Sequence, residues 1–259
     1  MRSREIACGV SQMQWWNDRF LSLWGCLLLV PILGGAQDSQ SYQLQRILGQ
    51  YTELFGGMRD TVGLSAVIIE GSIELDGRAM QFVMHRKRPN MLRYRLFLNQ
   101  SSITSGFDGR IGWIRKEAQG VVKIERASGA VLASLKQQGR FESPLFEHER
   151  KDDYRLRLLS QQYWEGRSVQ VIEVTDPWNE VWLYFLDART VHLLRVDRLD
   201  ASRAVVSQTL YRDYREVEGF PFAHEVEERV RGNTVSVATI KTITVNPGLL
   251  SFYFREPKR

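Results

Sequence analysis

The chain is nearly without thiols. Its two cysteines, Cys8 and Cys26, both lie close to the N-terminus, and residues 37–259 hold none. That stretch therefore has no disulfide, no Cys-ligated metal and no Cys nucleophile. Histidine is scarce too. His85, His148, His192 and His224 are scattered, and none has metal-ligand spacing. Glu147-His148-Glu149 puts three candidate ligands on adjacent positions, which point in different directions on a helix and read as a charged solvent face. The pairs Asp152-Asp153 and Glu227-Glu228 would face opposite ways on a strand, which prevents joint acid–base work. A hydrolase nucleophile elbow, a P-loop and a dinucleotide fingerprint are all missing. The residues thus predict a protein that is not an enzyme and carries neither cofactor nor metal. The formal charge is +5 with both signs interleaved, so no nucleic-acid-binding stripe is present.

Long apolar runs are also lacking, with one exception. Phe20–Leu33 is 14 residues long, preceded by Arg19 and followed by Gly34-Gly35-Ala36. This is too short for an ordinary membrane span and matches the h-region of a signal peptide with a small-residue exit. Residues 1–36 are read as the signal peptide, with cleavage after Ala36 and export across the inner membrane into the periplasm. Met13 offers an alternative start. An uncleaved anchor and acylation of Cys26 are the competing readings. Removing residues 1–36 lowers the formal charge from +5 to about +4. The remaining stretch of about 220 residues is long enough to bury one substantial core. Without a composition break or a repeat, 37–259 is assigned as a single domain.

That domain opens with a helix after Ser39. Tyr42, Leu44, Ile47, Leu48, Tyr51, Leu54 and Phe55 recur at helical spacing, and Gly56-Gly57 stops it. The period then switches to two. Strands are predicted at Leu64–Asp76, Ala79–Arg88, Met91–Leu98, Ser102–Phe107, Ile111–Lys116 and Val121–Arg126. A more helical insert follows from Ser128 to Leu159, with one short helix around Val131, Leu132 and Leu135 and another around Leu145 and Phe146. Strands resume at Ser168–Thr175, Glu180–Leu186, Val191–Asp200, Val205–Tyr214, Ala223–Arg231 and Thr234–Val245, and Pro247 ends the last. Ten to twelve strands so spaced predict a mainly β protein with helices. The expected architecture is a single, strongly curved antiparallel sheet forming an unclosed half-barrel around short helices. Val181–Leu186 is apolar at every position, as a strand covered on both faces would be.

Two segments carry more than fold information. His85-Arg86-Lys87-Arg88-Pro89-Asn90-Met91-Leu92 reads as strand, tight turn, strand, because Pro89 has no backbone donor for a ladder. Phe107-Asp108-Gly109-Arg110-Ile111-Gly112-Trp113 carries a two-residue hairpin signal at Asp108-Gly109. A basic-Arg-Pro-Asn turn, a strand, then an Asp-Gly hairpin with a following Trp resembles the pattern of the periplasmic lipoprotein-sorting (LolA-like) carriers. Tyr211–Glu225, with Gly219 in its turn, and Val245-Asn246-Pro247 followed by Phe252 and Phe254 resemble later stretches of the same family.

The resemblance implies an unclosed half-barrel whose helices cover an apolar concave face. It also implies a function: carrying acyl chains of lipoproteins or other lipids through the periplasm toward the outer membrane. The implied partners are lipid or lipoprotein acyl chains, an inner-membrane releasing complex and an outer-membrane acceptor. Arg88 would hold the helical lid, since a guanidinium fork can satisfy several carbonyls. On the following strand, Leu92, Tyr94, Leu96 and Leu98 share one face, and Met91, Arg93, Arg95 and Phe97 share the other. The first set is the expected cavity wall, joined by Trp182 and Tyr184. Trp113 either lines the cavity or packs under a helix. An alternative use of the same half-barrel is a lipoprotein-sensing or scaffold protein that binds a protein partner.

Overall fold

The computed structural model describes residues 34–56, 63–141, 143–147 and 154–258. The apolar run Phe20–Leu33, His148 and Asp152-Asp153 lie outside the described residues. Helix α1 (Gly34–Glu53) leads into β1 (Ala66–Leu75), β2 (Arg78–Lys87), β3 (Met91–Leu98), β4 (Ser101–Phe107), β5 (Gly112–Ala118) and β6 (Val121–Arg126). Two helices follow, α2 (Gly129–Gly139) and α3 (Pro144–Glu147). The chain returns to strands in β7 (Arg155–Leu158), β8 (Gln162–Trp164), β9 (Arg167–Thr175), β10 (Val181–Asp187) and β11 (Leu193–Leu199). The long strands β12 (Val205–Val217), β13 (Phe220–Val230) and β14 (Asn233–Val245) complete the sheet, and a 3-10 turn at Ser251–Phe254 closes the described chain.

All fourteen strands form one antiparallel sheet in the order β6-β5-β4-β3-β2-β1-β14-β13-β12-β11-β10-β9-β7, with β8 paired beside β7 on β9. The sheet does not close. Its two edges are β6 and the β7–β8 side, and the segment joining them carries α2 and α3. The helical insert therefore bridges the open side of the half-barrel. Strong curvature shows in which groups lie within electrostatic reach of each other. Arg86 on β2 and Tyr211 on β12 are four places apart, about 19 Å along the sheet. Yet the guanidinium bears on the ionisation of the phenol. Tyr94 on β3 and Glu228 on β13 are related in the same way.

Hairpin chemistry explains the regularity. At Asp76-Gly77 and Glu218-Gly219 both central residues have positive φ (51° and 70°, 51° and 84°), the two-residue turn that matches strand twist. The β4–β5 connection differs from the predicted two-residue hairpin. It runs over Asp108–Ile111, because the Asp108 carboxylate accepts the Arg110 and Ile111 amides at 2.9 and 2.7 Å and so opens a wider loop.

Three further differences from the sequence reading concern elements. Helix α1 begins at Gly34, ahead of Ser39. The end of the predicted helical insert, Arg155–Leu158, is strand β7, because β9 offers it an edge. Three residues of β8 extend the same edge.

The core is divided by the sheet. On the concave side, Leu44, Ile47, Leu48 and Tyr51 form one stripe of α1 and pack with Leu145 and Phe146 of α3 against Ile172, Val174, Tyr184 and Leu186. Tyr51, Phe55 and Phe146 meet with ring centroids 5.0–5.6 Å apart. Helix α2 rests on a smaller patch, where Leu135 meets Leu92 and Phe107. On the convex side, Val169, Val171, Phe185 and Leu194 pack beneath Trp164, with the Arg195 guanidinium 4.3 Å from the Phe185 ring centroid. Strand β10 is thus covered on both faces.

Candidate functional site

The concave face between α2 and the α1–α3 pair is an apolar strip with accessible surface. Ladder register places Ile69, Gly71 and Ile73 of β1 opposite Met84, Phe82 and Met80 of β2. Beyond β2 come Tyr94, Leu96 and Leu98 of β3, and on the other side of β1 come Ile243, Ile240 and Ala238 of β14. Phe82, Ile69 and Ile243 are buried at its floor. Ile73, Met84, Tyr94, Leu96, Ala238 and Ile240 pack on this cluster and stay partly exposed. Gly71 matters here. A Cβ at this position would lie 2.2 Å from the Thr239 carbonyl and 3.1 Å from the Phe82 ring, so only glycine lets Phe82 and the bulged strand β14, with Lys241 as its extra residue, close over β1.

One end of the strip is covered by the C-terminal end of α2. Arg86 Nη2 donates to the Arg140 carbonyl just past that helix, and its guanidinium lies 5.6 Å from the Phe141 ring centroid. Phe141 N donates to the Pro89 carbonyl at 3.3 Å. Gly139 makes the close approach possible, since a Cβ there would be 2.9 Å from the Asn90 carbonyl and 3.0 Å from the Phe107 ring. The Asn90 side chain in turn packs on Gly109, where a Cβ would meet it at 2.7 Å. The two segments singled out in the sequence therefore touch each other, and together they form the platform on which α2 ends.

Polar groups inside the concavity sit in a low-dielectric setting. Burial pushes the Tyr211 hydroxyl up to about 12, with Glu228 adding to the rise and Arg86 opposing it. Tyr94 is likewise raised to about 12 by burial and then by Glu228. Burial also raises Tyr51 and Tyr184 and lowers Arg86. Tyr211, Tyr94 and Arg86 nonetheless keep some accessible surface.

The expected site residues fall into four groups. Tyr94, Leu96 and Leu98 face the concavity, as do Trp182 and Tyr184 beside α1. Leu92 shares that face but is closed off under α2 at 1% exposure, so it supports the lid. Arg88 stands at the turn, 5.6 Å from the Phe141 ring centroid, while the hydrogen bond to the carbonyl after α2 comes from Arg86. Trp113 lies on the opposite face. It aligns with Gly106 and Arg93, its ring fills the space where a Gly106 Cβ would be, and its Nε1 donates to the Phe254 carbonyl at 2.9 Å. Its buried ring packs at the 3-10 turn Ser251–Phe254, outside the concavity. Arg86, Met84, Tyr211, Glu228 and Ile240 were not anticipated. Met84 and Arg86 share the phase of Phe82 on β2, but the phase alone does not say which face is concave.

Elsewhere, an open cleft of about 400 Å³ lies between the end of α1 and the β12–β13 turn. Glu53, Glu216 and His192 ring it, which suits an acyl chain poorly. Among the described residues no group of His, Cys, Asp or Glu could hold a metal ion. Glu227 and Glu228 do point to opposite faces. Glu227 binds Arg229, Arg212 and Thr234 on the convex side.

No protein-family model and no curated protein matches the chain. Solved structures do. A DUF1329 family protein from Desulfovibrio piger superposes with a TM-score of 0.60 at 14% identity, covering 83% of this chain and 97% of that one. A putative outer membrane lipoprotein-sorting protein domain from Vibrio parahaemolyticus gives 0.55 at 15% identity, covering 82% and 97%. A LolA superfamily protein from Nitrosomonas europaea gives 0.55 at 13%, with the same coverages. The fold is that of the LolA-like proteins: an unclosed, mainly β half-barrel with few helices, as the sequence resemblance implied.

Proposed function

We propose that the protein is a non-catalytic lipid carrier of the periplasm. It takes up acyl chains of a lipoprotein or another lipid and delivers them toward the outer membrane. The observation that carries this reading is the partly exposed apolar strip on the concave face, covered at one end by a helix with a small footprint. Transfer of an acyl chain from water is worth about 0.8 kcal/mol per CH₂, so eight buried methylenes supply about 6 kcal/mol without any catalytic group. Release needs a cover that opens. Helix α2 buries only Leu135 and Gly139, which places it at the low-stability end of the fold. Residues 1–36 act as the export signal in this reading. An inner-membrane complex would load the carrier and an outer-membrane acceptor would unload it.

The test is direct. The chain from Gln37 onward is titrated with a fluorescent apolar probe, and co-purified lipid is sought by native mass spectrometry. Saturable binding displaced by acyl lipid is expected. A strip that takes up no probe and no lipid would refute the carrier and favour a scaffold that binds a protein partner.

A further inference from the structure

Arg86 brings a guanidinium onto the apolar concave face without a matching carboxylate among the described residues. Its neighbours in the ladder are Val67 on β1 and Leu92 on β3. Among the described residues its one hydrogen-bond acceptor is the Arg140 carbonyl, and its ring contact is Phe141. Nε is shielded from solvent and has no acceptor. A guanidinium carries five N–H donors in a planar fork that matches a carboxylate or phosphate. One acceptor leaves most of that capacity unused, in a setting where an unmatched charge is costly.

Two phenols stand near this fork. Tyr94 is diagonal to Arg86 across the β2–β3 ladder, since Tyr94 pairs with Met84 and Leu92 with Arg86. Tyr211 reaches in from the far wall, close enough for its ionisation to respond to Arg86. Both tyrosines keep some accessible surface. The carboxylate bearing on both tyrosines, Glu228, is exposed and pairs with Thr209 and Ser236. Ser236 in turn lies opposite Leu75, at the end of β1 far from Arg86. Glu228 bears on both phenols and Arg86 on Tyr211, and the apolar strip leads away from Arg86 along β2. From Arg86 to Met80 along β2 it runs about 20 Å.

We infer that Arg86, with Tyr94 and Tyr211, receives the anionic oxygen head of an acyl-chain amphiphile whose chain lies along Met84, Leu96 and Ile240. The inference rests on the carrier reading and narrows its cargo to acyl chains with a carboxylate or phosphate head. A head bound at Arg86 competes with the Arg140 carbonyl for the same donors, so occupancy of the site and release of the end of α2 are linked.

Three ligands with the same chain separate the possibilities: hexadecanoic acid, hexadecyl phosphate and methyl hexadecanoate. Each displaces the fluorescent apolar probe from the 37–259 chain. The acid, the phosphate or both should bind at least tenfold tighter than the ester, and the better of the two names the head. Arg86→Gln should bring the acid-to-ester ratio to within threefold of one, and Tyr211→Phe should lower it severalfold. That ratio is the deciding readout, because loss of a purely structural latch would change all three ligands alike. If Arg86→Gln fails to fold by circular dichroism, the wild-type ratio and the Tyr211→Phe ratio still decide. Equal binding of ester and acids by the wild type overturns the inference and leaves the carrier intact. Failure of all three to bind overturns both.

Discussion

Arg86 and Arg140 are 54 residues apart in the chain and are joined by one hydrogen bond, from the guanidinium of a central strand to the first carbonyl beyond α2. That bond ties the bridging insert to the floor of the half-barrel. A hydrogen bond from a charged donor contributes about 1.5–3 kcal/mol. Arg86→Leu should therefore raise the opening equilibrium of α2 about tenfold or more, read as faster amide hydrogen exchange across Gly129–Gly139 with the sheet unchanged. Arg88→Leu removes the second guanidinium at the Phe141 ring and tests the lid role that the family resemblance assigned to Arg88. Faster exchange in that variant would support the role, and unchanged exchange would count against it.

Gly139 and Gly49 make a matched pair. Alanine at 139 drives a Cβ against the Asn90 carbonyl and the Phe107 ring, and the backbone atom cannot rotate away. A loss of about 1–3 kcal/mol is expected, concentrated in α2. Gly49 lies inside α1 with nothing within 4 Å of a built Cβ. Gly49→Ala should stabilise by up to about 1 kcal/mol. Thermal melts of the two variants should shift in opposite directions.

On the convex face, Gly106→Ala would put a Cβ 2.2 Å from the Trp113 ring, which is fully buried. The ring is held by Phe254 and has no room to withdraw. The cost should reach about 3 kcal/mol, a fall in Tm of about 6–12 °C for a chain of this size. An unchanged melt would mean that the C-terminal segment yields easily.

Glu227 supplies a pH test. Its hydrogen bond from Arg229, helped by Thr234 and Arg212 and opposed by burial, holds its carboxyl at about 2, against 4.5 for an ordinary glutamate. The folded state thus binds this proton less readily than the unfolded chain. The stability gained is complete above about pH 4.5 and is lost as pH falls toward 2. Its size is about 1–3 kcal/mol after solvent screening. Glu173 and Asp187 are lowered in the same direction. Glu227→Gln should melt lower than wild type at pH 6 and converge with it near pH 2.5. Parallel curves would remove Glu227 from the acid response.

Local chemistry made most of the sheet legible. Asp76-Gly77 and Glu218-Gly219 announce hairpins because both positions of the turn need positive φ, and the strands between turns alternate over eight or more residues. Strand β7 did not declare itself. Arg155–Leu158 alternates, but over four residues, and its structure depends on the edge of β9. The side of the sheet that becomes concave was harder still. Period two separates Tyr94 from Arg93 without saying which of them looks inward, so Trp113 was left with two placements. The same limit hid the latch. Arg86 and Arg88 are two residues apart in a basic run, and only the ladder pairing of Arg86 with Leu92 puts its side chain under α2. Tyr211 and Glu228 come within electrostatic reach of Arg86 and Tyr94 through curvature, a property of fourteen strands that no short window contains.

The insert that joins β6 to β7 has a mechanical consequence. Because it is anchored at both rims of the sheet, it behaves as a strap and not as a flap hinged on one side. Along it, α2 is held to the floor through Arg86 and the Pro89-Asn90 turn, and α3 is held against α1. The strap is therefore pinned at two separate points between the rims, so freeing one of them leaves the other in place.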